Sequence, residues 1–117
     1  LRPRDWRLRI QDILEAAQQI NGHIQGLDFE VFASNRLLID AIFFNLAIIG
    51  EAASHVPVEI QMRHPELPWD DMRSNRNIII HEYFRVNLRI VWDTFSQDLP
   101  ALIPPLQAVL DDEDLPK

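Results

Sequence analysis

The 117-residue sequence predicts an all-α fold, an up-and-down bundle of four to five helices. Apolar residues recur at three- and four-residue intervals over long stretches, as on one helical face. No stretch shows the two-residue alternation of strands. Asn, Asp, Gly and Pro cluster between the periodic stretches, where helices stop and start. At 13.7 kDa the chain reads as a single domain, residues 1–117, with a modest core. It has no internal repeat or low-complexity linker.

The first expected helix covers Arg4 to Asn21. Trp6, Ile10, Ile13, Ala17 and Ile20 form its apolar stripe, and Asn21-Gly22 reads as its stop. A short loop, His23 to Leu27, follows. Asp28 is an N-cap for a helical turn through Phe32. Asn35 to His55 forms the second long helix. Leu37, Leu38, Ile39, Ala41, Ile42, Phe43, Leu46, Ile48 and Ile49 cover most of its circumference, leaving Arg36, Asp40, Glu51 and Ser54 as a narrow polar stripe. A helix this apolar needs cover on more than one side, which predicts a homodimer with two-fold symmetry. The competing explanation is that it is simply the central helix of the bundle.

Pro57 ends that helix, and Val58 to His64 forms a short one. Trp69 to about Ile80 is the next helix, with Asp70 and Asp71 in its positive first turn. Asn87 caps the last helix, where Leu88, Trp92, Phe95, Leu99, Leu102, Leu106 and Val109 keep a 4-3-4-3-4-3 spacing. Pro100, Pro104 and Pro105 interrupt this run, so a kinked helix or two pieces are expected. The acidic tail, 111–117, is expected to fray.

Composition removes several functions. Three separated glycines exclude a phosphate-binding P-loop and a dinucleotide fingerprint. With no cysteine there is no disulfide, thiolate metal site or cysteine nucleophile. The histidines lack ligand spacing, so no metal or other cofactor is expected. No run approaches the ~20 apolar residues of a membrane span, and cytoplasm is the expected compartment. A net charge of −7 argues against broad nonspecific binding to nucleic acid. Ten of the eleven basic residues are arginine, the better fork for phosphate, and Arg73, Arg76, Arg85 and Arg89 bracket one segment.

That segment, Arg76 to Tyr83, reads R-N-I-I-I-H-E-Y. Trp69, Met72, Arg76, Ile79 and Tyr83 share one helical face, which places a permanent cation on an apolar stripe. Buried there, it needs an anionic or hydrogen-bonding partner. A structural pairing with a core carboxylate would satisfy it. Arg73, Asn77 and His81 line a second stripe, however. One helix then offers guanidinium, carboxamide, imidazole and phenol groups, suited to holding a phosphate and moving a proton. Glu51 on the second helix is a further partner for Arg76 or His81.

At these residues the chain resembles HepT-like proteins of the HEPN superfamily. The resemblance rests on R-N-x3-H-x-Y, together with Asp12-Ile13-Leu14, Ile49-Gly50-Glu51-Ala52, Pro68-Trp69 and Val91-Trp92. Ser74-Asn75 departs from the small or apolar pair that often precedes the arginine in this family. The resemblance implies a metal-independent endoribonuclease, the toxin of a toxin–antitoxin pair. Arg76 and His81 would be catalytic, with Asn77, Arg73 and Glu51 in support, at a composite site across the homodimer. It also implies a nucleotidyltransferase antitoxin that adds AMP to Tyr83. The alternative is a non-catalytic helical partner and substrate of that transferase. A third is a purely structural helical dimer.

Arg76 and His81 are five residues apart, so a straight helix sets them about 140° apart around its axis. Either the helix unwinds near His81 or a second chain completes the site.

Overall fold

The structure, a computed structural model, describes residues 5–82 and 87–112, with 76–82 described as backbone. Tyr83 lies outside the described residues. Those residues are all helix, turn or coil: α1 (Trp6–Ile24), α2 (Phe29–Ala33), α3 (Arg36–Ser54), α4 (Val58–Arg63), α5 (Trp69–Glu82), α6 (Leu88–Asp93) and α7 (Ile103–Leu110). A π-turn (Thr94–Asp98) and a 3-10 turn (Pro100–Leu102) join α6 to α7.

Four of the helix starts have a side-chain cap as their local cause. Asp5 accepts the Arg7 amide, Asp28 the Val31 amide and Asn35 the Leu38 amide. Asn87 accepts two, from Arg89 and Ile90. These caps satisfy amides that have no partner inside their helices.

The expected stop at Asn21-Gly22 is corrected: α1 runs through it to Ile24. Ile24 extends the buried stripe of Ile13, Ala17 and Ile20 by one more turn. That burial outweighs a weak local breaker. The chain turns instead at Gly26, the described residue with positive φ (76°), closed by the Leu27 amide on the Ile24 carbonyl at 3.0 Å. A side chain at that φ would be strained.

The last helix departs from a regular α-helix. Pro100 has no amide to donate, and its ring crowds the carbonyl four residues earlier. The chain absorbs this in the wide π-turn before the proline and the tight 3-10 turn after it. Pro104 and Pro105 fall in the first turn of α7, where amides lack partners anyway. Asp93, Thr94, Leu99, Leu102 and Ile103 all keep right-handed helical φ and ψ. The loose and tight turns offset one another, so Phe95, Leu99, Leu106 and Val109 all reach the core.

Packing places α3 between α1 and α5, and α7 against the other side of α1. Ile10, Ile13 and Ile20 of α1 meet Ile42 and Ile49 of α3, all fully buried. At one end Phe32 lies 5.1 Å from Phe95 and 5.4 Å from Trp92, ring centre to ring centre. That cluster fixes α2 against α6.

The end of α7 is held by charge. Arg7 donates to the carbonyls of Leu110 (3.1 Å) and Asp112 (3.5 Å), a cation at a helix C-terminus. His64 Nδ1 sits 2.9 Å from Glu66, and its Nε2 lies 3.3 Å from Asp112, close enough for ionic contact but off the hydrogen-bond direction. A hydrogen bond from its own amide, and then His64, lower the Glu66 carboxyl below the usual carboxylate range. Asp112 is thus anchored, while 113–117 lie outside the described residues.

By length and composition α3 is apolar enough to cross a membrane, with a mean hydropathy of 1.7, contrary to the sequence expectation. Half of that stretch is buried inside the bundle, as the core helix of a folded domain would be.

Candidate functional site

The segment carrying R-N-x3-H is the second half of α5, a helix of 14 residues. Its first half is anchored firmly. Trp69 and Met72 are buried, and the Trp69 indole donates to the His64 carbonyl at 2.8 Å. The face predicted to carry Arg76 therefore begins in the core. The side chains of Arg76, Asn77 and His81 lie outside the described residues, as does Tyr83. Their backbone places Arg76, Asn77 and His81 on α5, which stays α-helical through Glu82.

Arg73, the first member of the second stripe, is already engaged. It donates to Gln61 Oε1 at 2.5 Å and pairs with Asp70, one turn back. These bonds fix its guanidinium between α4 and α5. Glu51 lies on α3, half exposed, with its carboxylate 3.6 Å from His55 Nδ1. It also lines a cleft of ≈ 340 Å³ together with Arg9, Asp12, Phe44, Ala47, Ile48 and Ala52.

Arg9 is the residue that reading the sequence missed. Its Nε is buried without a hydrogen-bond partner, and it lines one cleft with Asp12 of its own helix and Glu51 across the α1–α3 groove. Its position between Leu8 and Ile10 carries no local signal of a cleft, because the opposite wall comes from a helix about 40 residues away. Among the described residues, no three His, Asp or Glu side chains are grouped to hold a metal ion.

Along α3, Leu37 is 83% exposed and Phe44 67% exposed. Ala41 and Ile48, half-buried, complete the same stripe at 4-3-4 spacing. The stripe borders the Arg9–Glu51 cleft, so apolar surface and charge adjoin one another there.

A helical bundle with the arginine and histidine of R-x4-H on one helix is the class of structure described here. A family model described as "Ribonuclease HepT-like" matches residues 13–109, which span α5 and most of the core. The chain belongs to the HepT-like ribonuclease family. It is 37% identical over 93 residues to the "Probable ribonuclease HepT" of Thermococcus cleftensis, covering 80% of this chain and 84% of that one. It is 34% identical over 104 residues to a protein of Caldanaerobacter subterraneus subsp. tengcongensis provisionally named as an RNase, covering 89% and 93% of the two chains. A Methanocaldococcus jannaschii protein, also provisionally named as an RNase, is 30% identical over 106 residues, or 91% and 97%. No solved structure shows a significant match to this chain.

Proposed function

We propose that this chain is a metal-independent endoribonuclease whose site is completed by two copies of the chain. The observation that carries the reading is the unbroken α5. Because the helix does not unwind at His81, positions 76 and 81 stay about 140° apart around its axis. Two positions so far apart around one helix are brought to a single phosphate most simply by a second chain. A second copy brought against the uncovered α3 stripe, Leu37 to Ile48, supplies the missing group and covers the exposed apolar surface.

In this reading a neutral His81 takes the proton of the substrate's 2′-hydroxyl, since imidazole titrates near neutrality. The freed oxygen attacks the adjacent phosphorus, and the bond from phosphorus to the 5′-oxygen breaks. His81 of the partner subunit returns a proton to that leaving oxygen. Arg76 stabilises the charge gathering on the phosphoryl oxygens, with Asn77 donating beside it. The products are a 2′,3′-cyclic phosphate and a 5′-hydroxyl, and DNA is spared because it lacks the nucleophile. Cleavage that persists in EDTA and leaves cyclic-phosphate ends is the expected assay result. Cleavage that stops on chelation would overturn the reading.

The biological role consistent with this activity is that of a cytoplasmic toxin. Its antitoxin would be a nucleotidyltransferase that moves AMP from ATP to the Tyr83 hydroxyl, releasing pyrophosphate. Tyr83 follows Arg76 by seven residues, two turns on the same predicted face. Added phosphate there would occupy the anion site and repel RNA. Incubated with that transferase and ATP, the chain should gain mass in AMP units, and Tyr83→Phe should gain none. A gain that persists in Tyr83→Phe would remove the modification from this scheme.

A further inference from the structure

The largest cleft among those described, ≈ 730 Å³, lies on another part of the molecule, between the start of α5 and the π-turn and 3-10 turn. Met72 and Leu99, both almost fully buried, form part of its wall with the half-buried Leu102. Glu66, Asp71 and Asp98 stand around the same cleft, and among the described residues no lysine or arginine lines it. Glu66 is matched by His64, whereas Asp71 and Asp98 have no basic partner among the described residues. The charge is therefore uncompensated at the edge of an apolar wall. Such a surface repels a phosphate backbone and suits a cation carried beside an apolar group.

We infer that this cleft is a docking site for a partner protein, taking a segment that presents arginine or lysine next to a leucine-like anchor. The apolar anchor would fill the space over Ala101, Leu102 and Pro105, backed by the buried Met72 and Leu99. The cations would meet Asp71 and Asp98, and the pairing would set orientation more than affinity. The cleft extends to Asn75, the residue before Arg76, so an occupant lies against the helix that carries the proposed catalytic groups. Binding there gives a partner a physical route to that helix without competing for the RNA phosphate. The inference stands apart from the ribonuclease reading, because its assay contains no RNA.

The test uses the full chain and a fluorescein-labelled synthetic peptide, Arg-Leu-Ala-Arg-Leu-Ala, followed by anisotropy. Saturable binding is expected, and it should be weakened roughly tenfold in Asp71→Asn/Asp98→Asn, the order expected for two partly exposed ion pairs. A control variant, Glu15→Gln/Glu30→Gln, removes the same charge from exposed positions elsewhere and should bind like the unaltered chain. A peptide with serine in place of leucine should bind more weakly. Absence of saturable binding would overturn the inference. So would equal weakening in both variants, which would reduce the effect to net charge, or equal binding of the serine peptide. A fall in oligomeric mass in the Asp71/Asp98 variant would make a second copy the occupant and would also overturn it.

Discussion

His81→Ala is expected to lower RNA cleavage by about two to four orders of magnitude, the range for loss of a positioned acid–base group. The imidazole is asked both to take a proton from the 2′-hydroxyl and, in the other subunit, to give one to the leaving oxygen. Alanine does neither. It is also a good helix former, so α5 should persist and the circular dichroism spectrum should not change. The measurement is single-turnover cleavage of an end-labelled RNA in EDTA, with both proteins purified identically. Arg76→Ala should be similarly damaging, because loss of one charge-stabilising donor typically costs about 100- to 1000-fold. Equal cleavage by the unaltered chain and His81→Ala would mean a contaminating nuclease and no role for the imidazole.

Phe95→Ala should have the largest effect on stability, about 3–5 kcal/mol. Phe95 is fully buried within the π-turn, with its ring centre 5.1 Å from Phe32 and 5.5 Å from Trp92. It joins the irregular last helix to α2, so truncation leaves a cavity where two elements meet. Against a total of roughly 5–15 kcal/mol for a domain, that is a large fraction. Urea denaturation followed by tryptophan fluorescence checks it. A loss under about 1 kcal/mol would mean that the aromatic cluster does not hold α2 to the last helix.

The all-α architecture and the starts of most helices were legible because their causes are local. Asp28, Asn35 and Asn87 are caps that act within three residues of themselves, and each does so in the structure. The stop at Asn21-Gly22 was misread for the opposite reason. Whether a weak breaker ends a helix depends on the tertiary burial of Ile24, which no local pattern states. The prolines of the last helix marked an irregularity correctly. The π-turn that absorbs it depends on Phe95 and Leu99 keeping contact with a distant core.

The candidate site divides along the same line. R-N-x3-H-x-Y is contiguous and could be read directly, and the family match now rests on most of the chain. Arg73 looked like a phosphate ligand on spacing alone. Its pairing with Asp70 is a one-turn contact within α5, whereas its bond to Gln61 comes from α4 and leaves no mark in the helical stripe. Arg9 and the cleft bounded by Asp71 and Asp98 are assembled from separate segments, so neither leaves a motif.

The central claim, that one phosphate is served by two chains, is tested most directly by mixing subunits. The unaltered chain and His81→Ala are combined, allowed to exchange, and assayed at constant total protein. With one active subunit in ten, a two-fold dimer that needs both imidazoles retains about 1% of full activity, because random pairing squares the active fraction. A site contained within one chain would retain about 10% at the same ratio and follow a straight line at every other, and that line would contradict the account.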